Sequence, residues 1–328
     1  MTMRRVRLSS AAGAGLLLVA LLAGCGESKS SPGTGALEKD SLTVAALPLV
    51  DTAALHIAVE QKLFEAEGLK VKIEPVAQSL AALPALKNGQ VDVIAGANYV
   101  TFLQAHQQGT LQLRIVADAV AEAPRFMRLL VLPGSPIKQP ADLAGKTVAV
   151  NILNNIQSLT FNEVLRANNV DPATIKYRAV SFPLMDKALA NGDVDAVHTA
   201  EPFGTVFEQK LHARMVIDGG GGPVSGIPVS GYISTGDFVG KNPKTAAAFQ
   251  RAITKAQALA AGDRKQVEKV LPGYAKVDAA TAATLALPAY PTSVDPARLQ
   301  RLADLMLKQG LIKTPIDARS VIFTPPAR

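Results

Sequence analysis

Apolar and polar positions alternate, then recur at helical spacing, then alternate again through residues 41–121. "SLTVAAL" (41–47) reads as a strand that Pro48 stops. In "AALHIAVEQKLFEAEG" (53–68), Ala54, Leu55, Ala58, Val59, Leu63 and Phe64 fall on one helical face. Gly68 ends that run, and Asp51 or Thr52 stands where an N-cap belongs. "LKVKIEPV" alternates as a half-buried strand does, and "SLAALPALKNG" predicts a helix closed by Asn-Gly. "VDVIAGA" predicts a third strand, "VTFLQAHQQG" a short helix and "LQLRIVADAV" a further strand. Strands that alternate with helices in this way predict a mostly parallel sheet flanked by helices.

The order then restarts. "RLLVLPG" and "ADLAGKTVAVN" supply strands, "IQSLTFNEVLRANN" an amphipathic helix, and "TIKYRAV" a strand. "PLMDKALANG" is a helix, "VDAVHTA" a strand, "GTVFEQKLH" a helix and "ARMVIDG" a strand. One phrase is written twice: "KNGQVDVIAGANY" at 87–99 and "ANGDVDAVHTAEPF" at 190–203. Each is a helix end at Asn-Gly followed by a buried strand that starts Val-Asp. Two similar α/β lobes are therefore expected. After "GGGG" (219–222), "SGYISTGDFV" reads as a strand leading back to the first lobe. The remainder, from "KTAAAFQRAITKAQALAAG" to "PARLQRLADLMLKQG", is helical and is expected to pack on the first lobe and cover the joint. The expected division is 41–125 plus 226–328 for the first lobe and 126–225 for the second. Crossings near 117–127 and 226–236 would form a two-stranded hinge of the kind that closes around a ligand.

Composition adds a location. The chain has 328 residues, 48% of them hydrophobic, which is enough for two lobes with substantial cores. Residues 1–24 begin with Arg4, Arg5 and Arg7, continue as the apolar "AAGAGLLLVALLAG", and end at Leu22-Ala23-Gly24-Cys25. The apolar stretch is short for a membrane span, and small residues before a cysteine are the pattern of a bacterial lipoprotein signal. Cys25 is the only cysteine, so an internal disulfide is excluded, and lipidation would leave no thiol nucleophile or Cys-based metal site. "GESKSSPGTGALEKD" makes residues 25–40 a flexible tether. Cleavage removes three arginines and no acidic residue, bringing the formal charge from +7 to about +4. That modest excess, without a dense basic run, argues against nucleic acid and suits a protein beside anionic lipid.

The segments "ALHIAVEQKLFEAEGLKVKIEPV", "ALKNGQVDVIAGAN", "DLAGKTVAV", "ALANGDVDAVHTAEPF" and "SGYISTGDFV" resemble the nitrate/sulfonate/taurine family of ABC-transporter substrate-binding proteins. The resemblance runs from about residue 42 to about 316. It implies a two-lobed periplasmic-binding-type clamshell that captures a small solute outside the membrane. A permease with a cytoplasmic ATPase would be its partner, and the binding protein would work as a lipid-anchored monomer. Ligands across the family include nitrate, alkanesulfonates, taurine, pyrimidine precursors and aromatic acids, so the resemblance does not select among them. An enzymatic branch that makes a thiamine pyrimidine carries a cysteine-rich motif, which this chain lacks.

Ligands of open α/β sheets bind beyond the carboxyl ends of the strands. Those ends supply Leu49, Asp51 and Thr52 after the first strand, Gln78 and Ser79 after the second, and Asn98 and Tyr99 after the third. In the second lobe they supply Asn151, Asn154, Asn155, Gln157 and Ser158, then Thr199, Glu201 and Pro202. Tyr232 lies on the returning strand. Asp51 is expected to cap the first helix. The set is rich in amides and hydroxyls without an evident Arg or Lys clamp, and Arg125 and Arg128 are expected at the surface. Glu201 needs a partner if buried. An amine-bearing ligand or a protein Lys or Arg could supply it. Glu201→Ala is expected to abolish or redirect binding with the fold intact. Asp92 and Asp195 start strands at the opposite end and are expected to bond backbone.

No cofactor or metal is expected, because His56, His106, His198 and His212 lack metal-ligand spacing. No nucleophile motif, Gly-x-Gly-x-x-Gly or Walker sequence occurs, which argues against an enzyme, although His198 near Glu201 could form an acid–base pair. A sensory lipoprotein with the same clamshell is the alternative reading.

Overall fold

The computed structural model describes residues 36–327. The proposed signal segment, Cys25 and all but the last residues of the tether lie outside them. The first lobe opens with β1 (Ser41–Ala46), α1 (Ala53–Glu60), α2 (Leu63–Ala66), β2 (Lys70–Pro75), α3 (Leu83–Lys87), β3 (Val93–Asn98), α4 (Tyr99–Gln107) and β4 (Leu113–Ala121). The second contains β5 (Met127–Val131), β6 (Thr147–Val150), α5 (Ile156–Ala167), β7 (Lys176–Ala179), α6 (Phe182–Ala190), β8 (Ala196–Ala200), α7 (Phe203–Leu211) and β9 (Arg214–Asp218). The chain then returns as β10 (Pro228–Thr235), α8 (Gly236–Lys241), α9 (Pro243–Gly262), α10 (Arg264–Val270), α11 (Ala279–Thr284) and α12 (Pro296–Lys308).

Two five-stranded sheets result, ordered β2-β1-β3-β10-β4 and β7-β6-β8-β5-β9. In each, four strands share one direction and the fourth in order opposes them. The opposing strand is β10 in the first sheet and β5 in the second. Each is the strand that has just crossed from the other lobe.

The doubled phrase has a structural cause. Asn88 and Asn191 close α3 and α6, and Gly89 and Gly192 follow with φ of +72° and +77°. A positive φ there lets the next amides fold back: Gln90 N donates to Ala85 O and Asp193 N to Ala188 O. Then Asp92 N donates to Thr43 O while its carboxylate accepts from Thr43 N at 2.9 Å. Asp195 repeats both bonds with Thr147, the carboxylate at 2.8 Å. Each aspartate therefore locks the register of β3 on β1, or of β8 on β6, at the end away from the cleft, as expected from the sequence.

Three local expectations change. The helix over 53–68 breaks at Lys62, which takes a left-handed φ of 55° between α1 and α2. "SGYISTGDFV" is only half strand, because Thr235 Oγ1 accepts from Phe238 N and starts α8. The return crossing occupies 219–227, ahead of the expected 226–236. There Glu122 N donates to Ile227 O at 2.8 Å and Gly226 N to Glu122 O at 3.0 Å, so the two crossings pair with each other as a hinge.

The alanine-rich α9 lies on α1 and α2, with Phe249 stacked on Phe64 at 5.3 Å and edge-on to Tyr232 at 5.9 Å. The last helices reach both lobes. Gln309 donates to Leu159 O and Glu163 on α5, and Thr281 bonds Gln209 on α7. Among the described residues no helix is long and apolar enough to cross a membrane.

The two aspartates differ in setting: Asp92 is buried and also paired with Lys39 at 2.6 Å, while Asp195 is exposed. Asp92→Ala is expected to lower unfolding stability by about 2–3 kcal/mol and Asp195→Ala by about 1 kcal/mol or less. Urea denaturation of the two variants beside the wild type checks the order.

Candidate functional site

The carboxyl ends of the parallel strands of both sheets face one another, and a cavity of about 40 Å³ lies between them. The first lobe contributes Leu47, Leu49 and Asp51 after β1, Ser79 after β2, and Gly96 and Asn98 on β3. Val229 and Ser230 of β10 complete that wall. The second lobe contributes Met127 of β5, Asn151, Ile152, Asn155, Ile156 and Gln157 after β6, Phe182 after β7 and Ala200 at the end of β8. The walls are largely apolar, and among the described residues the only charged side chain in the lining is Asp51.

Asp51 reaches the cavity because it does not cap a helix. Residues Val50–Thr52 form a 3-10 turn ahead of α1, and neither Asp51 nor Thr52 makes a side-chain cap bond. Thr52 is instead fully buried and donates to Leu47 O at 2.8 Å and Leu49 O at 3.1 Å, curling the loop after β1. Gly96 lets that curl settle on β3. Its φ is +69°, and a Cβ there would stand 3.2 Å from Thr52 Cγ2. The freed Asp51 carboxylate accepts from Ser230 Oγ at 2.6 Å through Oδ2, while Oδ1 is buried and accepts no bond. Burial raises its pKa to about 6 against the Ser230 hydrogen bond.

The opposite wall is organised by Gln157. Its Oε1 accepts from Asn151 N at 2.7 Å, and its Nε2 donates to His198 O at 2.5 Å, fastening α5 to both β6 and β8. Asn155 caps α5 by accepting from Gln157 N and Ser158 N. Asn151 O accepts from Gln78 Nε2 of the first lobe at 3.3 Å, a direct bridge across the cleft. The side-chain Oδ1 of Asn151 is buried and accepts nothing among the described residues. A buried acceptor left unpaired costs about 1–3 kcal/mol.

Residues 50–266, well over half of the chain, match the family model described as NMT1/THI5 like. The chain belongs to the NMT1/THI5-like family. A Brachyspira hyodysenteriae protein that bears the name of an ABC transporter periplasmic binding protein is 27% identical over 222 residues, covering 62% of this chain and 60% of its own length. This chain thus spans under two-thirds of that relative. The alkanesulfonate-binding protein SsuA of Xanthomonas axonopodis pv. citri, solved with MOPS, superposes with a TM-score of 0.74 at 21% identity, covering 88% of this chain and 99% of that one. The nitrate-binding protein NrtA of Synechocystis PCC 6803 superposes at 0.70 and 14% identity, covering 88% and 86%. The two-lobed periplasmic-binding fold implied by the sequence resemblance is therefore the fold of this NMT1/THI5-like chain.

Of the residues expected at the site, Leu49, Asp51, Ser79, Asn98, Asn151, Asn155 and Gln157 line the cavity. The others do not. Gln78 bridges at the rim, and Asn154 is exposed with a φ of +56°. Tyr99 is buried in the first lobe, where its hydroxyl donates to Asp118 Oδ1 at 2.5 Å. Tyr232 points into the core against Phe249, although two-residue spacing would put it on the cavity side with Ser230; the register of β10 shifts between Ser230 and Ile233 and interrupts the alternation. Thr199 is fully buried, and Ser158 serves the α5 cap.

Glu201 and Arg128 are the main corrections. Arg128 was expected at the surface and is 1% exposed; Glu201 is 0% exposed. Glu201 Oε1 accepts from Arg128 Nη1 at 2.9 Å, Thr205 Oγ1 at 2.7 Å and Ala286 N at 2.8 Å, and Oε2 accepts from Thr205 N at 3.1 Å. Arg128 further donates to Arg125 O, Thr205 Oγ1 and Glu208. The protein thus supplies the partner that Glu201 requires, and neither Glu201 nor Pro202 lines the cavity. His198 does not pair with Glu201. It stacks on Phe161 at 4.8 Å with both ring nitrogens unbonded, and burial lowers its pKa to about 3.

Sequence reasoning missed Ser230, Gly96, Met127, Phe182 and the apolar walls. Ser230 was legible only as part of a returning strand, and Gly96 only as a strand glycine, itself a sign of close backbone approach.

Two outcomes follow from the buried groups. Glu201→Ala leaves Arg128 without its carboxylate and is expected to lower stability by about 3–5 kcal/mol, contrary to the intact fold expected from sequence. Urea titration measures it. For His198, the unfolded chain takes up a proton as pH falls below about 6.5, while the folded chain resists until about 3. This group therefore withdraws stability on the acid side at about 1.4 kcal/mol per pH unit. His198→Leu is expected to lose about 2 kcal/mol less than wild type between pH 7.5 and pH 5, read from unfolding curves at both values.

Proposed function

We infer that this protein is an extracytoplasmic solute-binding component of an ABC importer, held at the bacterial membrane by lipid on Cys25. It takes a small organic solute between its lobes and passes it to a permease with a cytoplasmic ATPase. The observation that carries this reading is the cavity itself. It is enclosed by the facing carboxyl ends of two hinged sheets, and its walls are apolar with a few convergent polar groups. The names borne by the Brachyspira relative, SsuA and NrtA support the same role. At about 40 Å³ the closed cavity has room for roughly two or three waters, so a solute enters by parting the lobes at the paired crossings. The apolar walls favour an organic solute over bare nitrate. Binding rather than turnover fits a lining whose only titratable side chain is Asp51.

Native mass spectrometry of the gently purified, detergent-solubilised protein, followed by a thermal-shift screen, tests the role. The screen holds taurine, alkanesulfonates, nitrate, aminopyrimidines and aromatic acids. A true ligand at a hundred times its Kd is expected to raise Tm by roughly 5 °C. A chain that carries no small mass and is stabilised by no organic solute does not have this function. Cys25→Ser is expected to move the protein from the membrane fraction to the soluble fraction on cell fractionation; unchanged membrane association removes the lipid anchor.

A further inference from the structure

We propose that the solute is a nitrogen compound without fixed negative charge, which donates one N–H bond to Asp51 of the first lobe and another to Asn151 of the second. This deepens the solute-binding reading and rests on it. Asp51 Oδ1 and Asn151 Oδ1 are both buried, both belong to residues lining the cavity, and neither accepts a bond among the described residues. They come from opposite lobes, so a solute that donates to both also holds the lobes together. Asn151 is held for this purpose from both sides: its N–H goes to Gln157 and its carbonyl to Gln78.

The lining offers an anion only neutral donors, the Ser79 hydroxyl and the side-chain amides of Asn98 and Asn151, and two further donors are already committed. Ser230 Oγ gives its proton to Asp51, and the Gln157 amide gives its own to His198 O. The lining contains no Lys, Arg or His, and the buried Arg128 is neutralised by Glu201. A sulfonate or nitrate would face the Asp51 carboxylate with no counter-cation in a water-poor space, where like charges repel strongly. An amidinium, a protonated amine or an amino-substituted ring meets the same groups as a donor, and its hydrocarbon part meets the apolar walls.

Two isosteric series separate charge and donor count from shape: benzamidine, benzamide and benzoate, with acetamidine, acetamide and acetate as the smaller set. Calorimetric titration at pH 7.5 is expected to show an amidine binding at least tenfold tighter than its amide, with no detectable binding of the carboxylate. Asp51→Asn preserves the acceptor for Ser230 and removes the charge. It is expected to collapse the amidine-to-amide ratio to about one while Tm stays within a few degrees of wild type. Asn151→Leu is expected to weaken both amidine and amide about tenfold. Tighter binding of a carboxylate or sulfonate than of any amidine overturns the proposed class and leaves the solute-binding role standing. Amidines that fail to bind by 10 mM also overturn the class. If the broader screen is silent as well, the solute-binding role falls with it.

Discussion

Each sheet in this protein is completed by a strand that has just arrived from the other lobe, and that exchange constrains everything else. A parallel sheet needs its edges and faces covered, and here the antiparallel member of each sheet is the first strand after a crossing. The two crossings must then run side by side, and they do, joined through Glu122 with Gly226 and Ile227. Chain direction fixes the consequence. With the lobes joined in this way, the carboxyl ends of β1, β2 and β3 look toward those of β6, β7 and β8. Their loops become the two walls of one cavity.

Within that frame, polar side chains divide between holding the fold and facing the cavity. Asp92 and Asp195 spend their carboxylates on strand register at the far end. Glu201 spends its own on Arg128, on the start of α7 and on Ala286 N, a link between the second lobe and the C-terminal segment. A buried ion pair of this kind gives little net stability over an apolar pair, yet losing one partner is severe, so it acts as a constraint on geometry more than as a source of energy. Gln157 serves in a similar way, tying β6, α5 and β8 into a rigid wall. Among the polar groups lining the cavity, the Oδ1 atoms of Asp51 and Asn151 are buried and left without a partner among the described residues.

Fold and cavity charge are separate properties in this protein. SsuA is an alkanesulfonate-binding protein and NrtA a nitrate-binding protein, and their backbones follow this one with TM-scores of 0.74 and 0.70. At 21% and 14% identity the lining is free to differ, and here it carries one carboxylate and no cation. A scaffold of hinged sheets fixes where a solute sits; the side chains on its loops decide its charge.

The sequence by itself determined the elements, their doubled order and the edge on which a ligand sits. Periodicity, Asn-Gly turns and the repeated Val-Asp are local signals, readable because each acts within a few residues. Seven of the sixteen candidate residues fell on the cavity for the same reason, since strand ends are marked by the chain itself. Tertiary structure alone decided which carboxylate is available. Asp51 and Glu201 look alike in sequence, each beside the start of a helix. Glu201 meets Arg128, 73 positions away, and Asp51 meets Ser230, 179 positions away. A salt bridge consumes the first, and a single hydroxyl leaves half of the second exposed to the cavity. Pairings at such separations are set by how the two sheets pack and exchange strands, and no local pattern encodes them.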